Sequence, residues 1–400
     1  MQLLIYFLMI FAFTAIPIVG LFLDDSSPIY GMEELKIASI VHVIIIYIGI
    51  VLAFIKIHKR KYYWKPLSQR LCDRFDVLGK IAFWVFIMCV FKFFISGHMI
   101  FSGMHRGVVR TSLGILGPLS IFISLFAVPA LLSLSTVLYF FYLNHTKSVN
   151  NSYLKILFFS VFLGVMAGGK INVVMIFFPM LLQGASMIRV RYFFLVIFVG
   201  SLSIVLIGMF QFGISLEQSF YYNIYRATSL SNFGTLCVWN EFPDGSSDAY
   251  FSLWAGFGEN IISYLLDVDR HSVAFLKYSL PRQITYLYYG NSQGAIDGTV
   301  NLTITAFGET VYWFGRNYYF IASVIFSFVT YKLTILVFKT RNVNSLISNT
   351  LVSVYFVSVF IVWLNSTSGS IFSSLFGFTT IIYMMLSYCL LKYIYNGMNI

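Results

Sequence analysis

Charged side chains are scarce in this sequence. They make up 10% of its 400 residues, whereas soluble domains carry about a quarter. So low a proportion excludes an ordinary soluble domain, which needs a charged surface, and a disordered chain, which needs high charge and low hydrophobicity. Only four cysteines are present and they are far apart, which excludes a disulfide scaffold and a cysteine metal site. The net charge of +11 collects in a few loops, so it does not indicate a nucleic-acid partner.

In place of charge the sequence has a series of apolar segments. Hydrophobic residues make up 59% of it, and runs of about 20 residues, enough to cross about 30 Å of hydrocarbon, recur from end to end. Because lipid requires backbone amides to bond within their own segment, these runs predict helices. The chain is therefore expected to be an all-α polytopic membrane protein, one membrane domain over residues 1–400 with about ten spans. The predicted spans are 2–23, 37–57, 81–99, 117–143, 155–167, 171–187, 192–212, 317–338, 345–364 and 371–391.

Basic residues fix the orientation of these spans. The loop at 56–80 is strongly basic and is opposed only by Asp73 and Asp76, so the positive-inside rule places it in the cytoplasm. Alternation from that loop puts both termini inside and the acidic residues at 24–34 outside. It also puts a short arginine-containing loop and the long loop at 213–316 outside.

Residues 155–187 allow two interpretations, which orient the second half of the chain in opposite ways. They form either one long helix or a hairpin broken at Gly168-Gly169-Lys170. A single helix would leave the basic residues at 189–191 outside, so the charge pattern favours the hairpin. Lys170 would then lie within the membrane thickness. It would either mark a substrate site or extend its side chain to the interface.

The long external loop at 213–316 holds nine of the 15 carboxylates and five basic residues. Helical periodicity over 216–229 and 259–278 predicts short amphipathic helices on the membrane surface, and the composition of 240–248 predicts a turn. The aromatic residues of the loop suit either the membrane interface or stacking on sugar rings. Spanning a bilayer does not require such an insertion, so the loop predicts a site for a large polar substrate.

Arginines give this loop its clearest chemical signal. Arginine is more frequent than lysine on the external side, where the positive-inside bias does not act. Its planar guanidinium binds phosphate oxygens through two parallel hydrogen bonds, which a lysine cannot do. We therefore expect these side chains to bind the diphosphate of a lipid carrier, although each could instead pair with a loop carboxylate or a lipid headgroup. The external arginines are Arg106, Arg110, Arg226, Arg270, Arg282 and Arg316.

About ten spans, a large external loop in the second half and a smaller arginine-bearing loop in the first half resemble the O-antigen polymerases. These are Wzy-type bacterial polymerases of oligosaccharide repeat units. The likeness covers the whole chain. Arg106 and Gly117 match the arginine-ten residues-glycine spacing of the family's external loops. Residues 168–170 resemble its Gly-Gly-Arg break, with lysine replacing arginine, and 301–309 resemble its approach to the next span. In the large loop Arg282 departs from the spacing, because glycine comes one residue late.

The resemblance implies a glycosyltransferase at the periplasmic face of a bacterial inner membrane. It would transfer a growing glycan from undecaprenyl diphosphate onto another undecaprenyl-diphosphate-linked repeat unit. The expected partners are this lipid-linked oligosaccharide, membrane lipids, a chain-length regulator and a flippase. The substrate-binding residues would be Arg106, Arg110, Lys170, Arg226, Arg270 and Arg282.

The acceptor hydroxyl of such a transfer needs a base, and the sequence offers two. Glu309 follows the long loop, just before the eighth predicted span, and His271 lies within the loop. Histidine changes charge near neutral pH, which suits it to proton transfer. No cofactor or metal is expected, because the only Asp-x-Asp pattern, Asp267-Val-Asp269, directly precedes an arginine in a predicted surface helix.

Two other functions fit the same sequence features. An O-antigen ligase shares this architecture and donor but transfers the glycan to a lipid A-core acceptor. A lipid-linked oligosaccharide flippase or other transporter would share the spans. It is disfavoured because the chain has a long external loop, no internal repeat and few charges within its predicted spans.

The topology predicts the outcome of reporter fusions. Fusions after Asn151, Gly234 and Asn344 should report inside, outside and inside, because an even number of predicted spans precedes the first and third and an odd number precedes the second. Alkaline phosphatase and green fluorescent protein activities measure these locations. A cytoplasmic reading at Gly234 would overturn the hairpin and the external location of the long loop.

Overall fold

The structure is a computed structural model of the whole chain. It describes residues 32–58, 190–225, 231–290, 292–298 and 300–339, together with a few single positions elsewhere. The regular elements of this described part are all helical. The α-helices are α1 (Met32–His58), α2 (Val190–Phe212), α3 (Leu216–Tyr225), α4 (Ser231–Glu241), α5 (Glu259–Leu266), α6 (Leu280–Tyr288), α7 (Gln293–Ile296) and α8 (Ala306–Lys339), and two 3₁₀ helices cover Ala249–Phe257 and Val273–Tyr278.

Three predicted spans fall in this part of the chain, and each is helical. The segments 37–57, 192–212 and 317–338 lie within α1, α2 and α8 respectively. The other seven predicted spans, including the hairpin at 168–170, lie outside the described residues. Within the described part, one helix is both long and apolar enough to cross a bilayer, namely Glu33–His58 in α1.

α1 and α8 pack side by side and run parallel. His42 Nδ1 lies 2.7 Å from Ser323 Oγ. Further along both helices, Ser327 Oγ donates to the carbonyl oxygen of Ile45 at 2.7 Å. A Cβ at Gly49 would overlap the carbonyl oxygen of Ser327, so only glycine allows this approach. Because the contacts advance in the same direction along both helices, their N-terminal ends lie at the same end of the pair.

The outer faces of this pair are apolar, whereas polar side chains lie between the helices. His42, Ser323 and Ser327 are buried. A soluble helix pair has the opposite arrangement. Small and polar contact residues with apolar outer faces are typical of helices that associate in lipid. The exposed apolar residues are Ile37, Val41, Ile44, Ile48, Val51, Leu52 and Ile55 on α1 and Phe320, Ile321, Val324, Ile325 and Phe328 on α8.

α2 and α3 form a helical hairpin that turns at Gly213, where φ is 62°. α3 begins with a capping box: Gln218 N–H donates to Ser215 Oγ at 3.1 Å, and Ser215 N–H donates to Gln218 Oε1 at 3.0 Å. α3 folds back on α2, since Ser219 Oγ donates to the carbonyl oxygen of Val205 at 2.7 Å. The predicted helix 216–229 is therefore confirmed as far as residue 225, beyond which it leaves the described part.

The predicted helix over 259–278 is confirmed at its two ends, as α5 and the second 3₁₀ helix, but the chain breaks between them. α5 ends at Leu266, and the next residue, Asp267, adopts the left-handed conformation with φ 49°. Asp269 then accepts hydrogen bonds from its neighbours: its Oδ1 from His271 N–H at 3.0 Å and its carbonyl oxygen from Ser272 Oγ at 2.6 Å. Such local bonds compete with helical ones, so a turn separates α5 from the second 3₁₀ helix.

Residues 231–305, which we call the loop unit, share one apolar core with the N-terminal ends of α1 and α8. Its helices α4 and α6 pack together, and α4 packs on α8. The loop unit is thereby seated on the same end of both long helices. The buried members of this core are Leu35, Ala38, Leu236, Cys237, Val238, Trp239, Ala249, Leu280, Ile284, Leu302, Ile304, Phe307, Val311 and Tyr312.

α8 is broken at Gly315, whose φ of 74° and ψ of 176° are not helical. The turn after α4 fits into this break, and a Cβ on Gly315 would come 2.6 Å from the carbonyl carbon of Asp244. Arg316 holds the turn, because its N–H donates to the carbonyl oxygen of Pro243 at 2.7 Å and its Nε to that of Trp239 at 2.6 Å. The turn predicted over 240–248 is thus confirmed.

Gly49→Leu should weaken the α1–α8 contact, because its side chain would displace the backbone at Ser327. Overpacking costs about 1–3 kcal/mol, and we expect a lower thermal unfolding temperature for the purified protein in detergent. Leu52→Ile, on the exposed face of α1, is the matched control and should be neutral. Equal unfolding temperatures for Gly49→Leu and the wild-type protein would contradict this contact.

Candidate functional site

Arg282 is the central side chain of the polar cluster in the loop unit. It lies on α6 and is fully buried, with 0% of its surface exposed. Its Nε donates to the carbonyl oxygen of Ala295 at 2.9 Å, and its Nη2 donates to that of Arg270 at 2.8 Å. Nη1 lies 3.2 Å from Glu259 Oε1. One guanidinium therefore holds together α5, the turn after it and α7.

The Arg282 guanidinium is in close contact with the backbone at Gly298 and with the ring of Phe275. Gly298, with φ 70°, is so near that a Cβ there would lie 3.4 Å from Arg282 Cζ. The guanidinium also lies over the ring of Phe275, with its Cζ 5.1 Å from the ring centroid. Eleven residues after Arg282 stands Gln293, whose side chain donates to Asp297 Oδ1 at 3.1 Å. Arg282 itself donates to the carbonyl oxygen of Ala295, two residues further on.

Arg270 is the more accessible arginine of the cluster. It is only partly buried, and its Nη1 donates to Asn260 Oδ1 at 2.6 Å. Its Nε is buried and has no hydrogen-bond acceptor among the described residues. An unsatisfied buried donor costs about 1–3 kcal/mol. Arg282 Nη1 is likewise buried without a hydrogen-bond acceptor among the described residues. Of the two arginines only Arg270 is partly exposed, so it is the one that an anionic oxygen can approach, and arginine binds such oxygens well.

His271 follows Arg270 directly and pairs with a carboxylate. Its Nδ1 lies 3.1 Å from Asp297 Oδ1, while 48% of the His271 side chain is exposed. Asp297 is held in place by the additional bond from Gln293. A histidine with an oriented carboxylate partner and an accessible ring can exchange protons with a substrate.

Glu309, the other base predicted from the sequence, has different surroundings. It is in the first turn of α8 and only 6% exposed. Its N–H donates to the carbonyl oxygen of Thr305 at 3.2 Å, and the adjacent Gly308 packs against Thr235. Glu309 is therefore a buried side chain near the contact of α4 with α8, with little surface open to a substrate.

The structure brings together three of the predicted site residues, namely Arg270, His271 and Arg282. Arg106, Arg110, Lys170 and Arg226 lie outside the described residues. Sequence reasoning missed three members of the cluster that contact the predicted residues, namely Glu259, Asn260 and Asp297. The only local sign of Asp297 is that Asp-Gly favours a turn, and its separation of 26 residues from His271 hides the pairing.

The two aspartates of the Asp267-Val-Asp269 pattern both belong to the turn after α5. Asp267 adopts the left-handed conformation at the end of α5, and Asp269 holds the backbone of His271. Within the residues that the structure describes, no group of three histidine, cysteine, aspartate or glutamate side chains is arranged to hold a metal ion.

A second polar group lies between α4 and α6. Tyr288 Oη donates to Glu241 Oε1 at 3.1 Å, and the free thiol of Cys237 is buried beside them. Burial, with a smaller contribution from the Glu241 carboxylate, raises the pKa of Cys237 to about 12. Burial also raises the pKa of Tyr288. Both groups therefore stay protonated at neutral pH, which makes Cys237 a packing residue rather than a nucleophile.

Comparison of the chain with protein-family models, with curated proteins and with solved structures gives no match.

The raised pKa of Cys237 predicts a slow reaction with iodoacetamide. In a variant whose other cysteines are replaced by serine, the reaction at pH 8 should be about a thousandfold slower than for an ordinary thiol, because the thiolate reacts and the pKa rises from 9.0 to about 12. A cysteine-free variant with Ser247→Cys, at an exposed position, supplies the reference rate. Similar rates for the two thiols would contradict the burial of Cys237.

Proposed function

We propose that this protein is a multi-pass glycosyltransferase of the O-antigen polymerase type in a bacterial inner membrane. It transfers a growing glycan from undecaprenyl diphosphate onto another undecaprenyl-diphosphate-linked repeat unit at the periplasmic face. One observation carries the proposal. Arg270, which has a buried donor without an acceptor, directly precedes His271, which has a carboxylate partner. An anion-binding group and a proton acceptor thus stand side by side on the loop unit.

The parallel packing of α1 and α8 supports the external location of the loop unit. Lys56 and His58 end α1, and Glu33 and Glu34 begin it. The positive-inside rule then favours a cytoplasmic C-terminal end for α1, and for α8 beside it. The loop unit joins the opposite end of the pair, which is the periplasmic one.

The same packing supports the hairpin predicted at 168–170. With the hairpin, α1 and α8 are the second and eighth spans and so cross the membrane in the same direction. With a single helix over 155–187, α8 would be the seventh span and would run antiparallel to α1. The contacts of His42 with Ser323 and of Ile45 with Ser327 run in the parallel sense.

The proposed transfer exchanges one bond to the anomeric carbon of the donor for another. The acceptor oxygen forms a bond to that carbon, and the bond from the carbon to the diphosphate oxygen breaks. The diphosphate leaves with the electron pair, and the acceptor proton passes to His271. Arg270 binds the leaving diphosphate, whose charge increases as the bond breaks, and this stabilises the transition state. Arg106, Arg110, Lys170 and Arg226 are proposed as further ligands of the lipid diphosphates.

Burial favours His271 over Glu309 as the base. A general base must come within hydrogen-bonding reach of the hydroxyl that it deprotonates. The side chain of His271 is 48% exposed, whereas Glu309 is 6% exposed. Glu309→Gln is therefore expected to keep near-normal turnover if the protein folds, whereas His271→Ala should lose roughly 10²–10⁴-fold.

Arg270 variants test the phosphate-binding role. Lipid-linked repeat units isolated from a deletion strain are incubated with purified protein in lipid nanodiscs, and the glycan ladder is resolved on a gel. Arg270→Ala should lower the rate by roughly 10²–10³-fold, in line with removal of one transition-state donor. Arg270→Lys keeps the charge but loses the planar fork, so it should also be impaired.

Lys277→Ala is the matched control for the Arg270 variants, because it removes one positive charge from the same loop unit. Lys277 contacts the ring of Phe251, with its Nζ 4.2 Å from the ring centroid, and it should keep a wild-type ladder. Wild-type ladders from both Arg270 variants would overturn the phosphate-binding role.

The same preparation tests the reaction class. Elongation of the lipid-linked repeat units supports a polymerase. Transfer of preassembled chains only onto lipid A-core would instead identify a ligase. Movement of lipid-linked oligosaccharide across the bilayer without any transfer would identify a transporter. Either of the last two results would overturn the proposed function.

A further inference from the structure

We infer that Asp297 and Arg282 are positioning residues for His271. Asp297 orients the imidazole ring, and Arg282 fixes the two chain segments that carry the pair. Neither side chain is assigned a contact with the substrate. This inference rests on the proposed function, in which His271 takes the proton of the acceptor hydroxyl.

The contacts of Arg282 act on both members of the pair. Its Nη2 donates to the carbonyl oxygen of Arg270, the residue directly before His271, at 2.8 Å. Its Nε donates to the carbonyl oxygen of Ala295, shortly before Asp297, at 2.9 Å. A single rigid guanidinium therefore sets the separation of two segments that are far apart in the sequence. Lysine offers no planar fork and could not hold both carbonyls in this geometry.

Full burial gives Arg282 a different role from the one that the sequence predicts. A diphosphate cannot reach a guanidinium with 0% of its surface exposed unless the loop unit opens. Two of its nitrogens are already bonded to backbone carbonyls, and the third lies 3.2 Å from Glu259. Anion binding is thus assigned to Arg270, and Arg282 holds the backbone of Arg270 through its carbonyl oxygen.

The partner of His271 determines which ring nitrogen can accept a proton. An ionised carboxylate only accepts hydrogen bonds, so the contact of 3.1 Å to Asp297 Oδ1 places the hydrogen on Nδ1. Nε2 is then the accepting nitrogen of the ring. The carboxylate also stabilises the imidazolium that forms when Nε2 takes a proton. Gln293 fixes the carboxylate, and Asp269 fixes the backbone N–H of His271.

Asp297→Asn tests the orienting role with the smallest change in shape. An amide can present its NH₂ group to Nδ1 and stabilise the wrong tautomer, and it cannot stabilise the imidazolium. We expect kcat for polymerisation in nanodiscs to fall at least tenfold, with KM for the lipid-linked repeat unit within about twofold of wild type. Asp297→Glu restores the carboxylate and should recover part of the lost kcat. Asp244→Asn, at an exposed turn position, is the control and should be neutral.

A double-mutant cycle separates positioning from general stability. If Asp297 and Arg282 act through His271, then Asp297→Asn and Arg282→Lys should cause no further loss of kcat in a His271→Ala background. Losses that multiply in this background would overturn the inference, as would near-wild-type kcat for Asp297→Asn in the wild-type background. Thermal unfolding is measured on every variant. A loss of kcat that follows only the unfolded fraction would also count against positioning.

The failure of this inference can be told apart from the failure of the proposed function. If His271→Ala and Arg270→Ala lose activity while Asp297→Asn does not, the glycosyltransferase and its base stand and the positioning role is wrong. If His271→Ala retains wild-type kcat, then the base assignment is wrong and the positioning role falls with it. If the wild-type protein does not elongate the repeat units, the proposed function itself is wrong.

Discussion

The parallel contact between α1 and α8 is the constraint on which the rest of the structure depends. Two parallel helices cannot be joined by a short turn, so most of the chain lies between them. Their shared direction brings Leu35 and Ala38 of α1 to the same end as Phe307 of α8, where all three enter one apolar core. The loop unit is built on that core. At Gly49 the backbones of α1 and α8 come so close that only glycine fits. This contact holds the two helices together, and the polar cluster of the loop unit is built on their N-terminal end.

A single buried charge organises that site. An arginine withdrawn from water costs free energy unless its donors are satisfied. Arg282 donates to two backbone carbonyls, and its Nη1 lies 3.2 Å from the Glu259 carboxylate without a hydrogen bond among the described residues. The carbonyls belong to segments that no helix or sheet would otherwise join. Arg270 also keeps one buried donor, Nε, without an acceptor among the described residues, but the residue is only partly buried. The two arginines of the cluster thus differ in exposure, and under the proposed function Arg282 joins the loop segments while Arg270 binds the ligand.

Sequence patterns predicted the long helices and the turns better than the site. Continuous apolar residues in α1, α2 and α8 favour a helix. The composition of the segment from Asn240 to Asp248 is clearly that of a turn. The burial of Arg282 could not be predicted, because charged residues are almost never fully buried unless they are paired, and its partners are mostly carbonyl groups, which every residue possesses. Apolar periodicity did not predict the break after α5, because hydrogen bonds that Asp269 accepts through its carboxylate and its carbonyl oxygen stabilise the turn. The pairing of His271 with Asp297 depends on tertiary structure alone.

The break at Gly315 divides α8 into a first part that packs with the loop unit and a second part that packs along α1. Because Arg316 N–H donates to Pro243 rather than to a carbonyl of its own helix, the hydrogen-bond ladder of the part that packs along α1 does not continue into the part that packs with the loop unit. The two parts of α8 thus have different main partners. Residues before Gly315 pack in the core of the loop unit, and residues after it pack along α1.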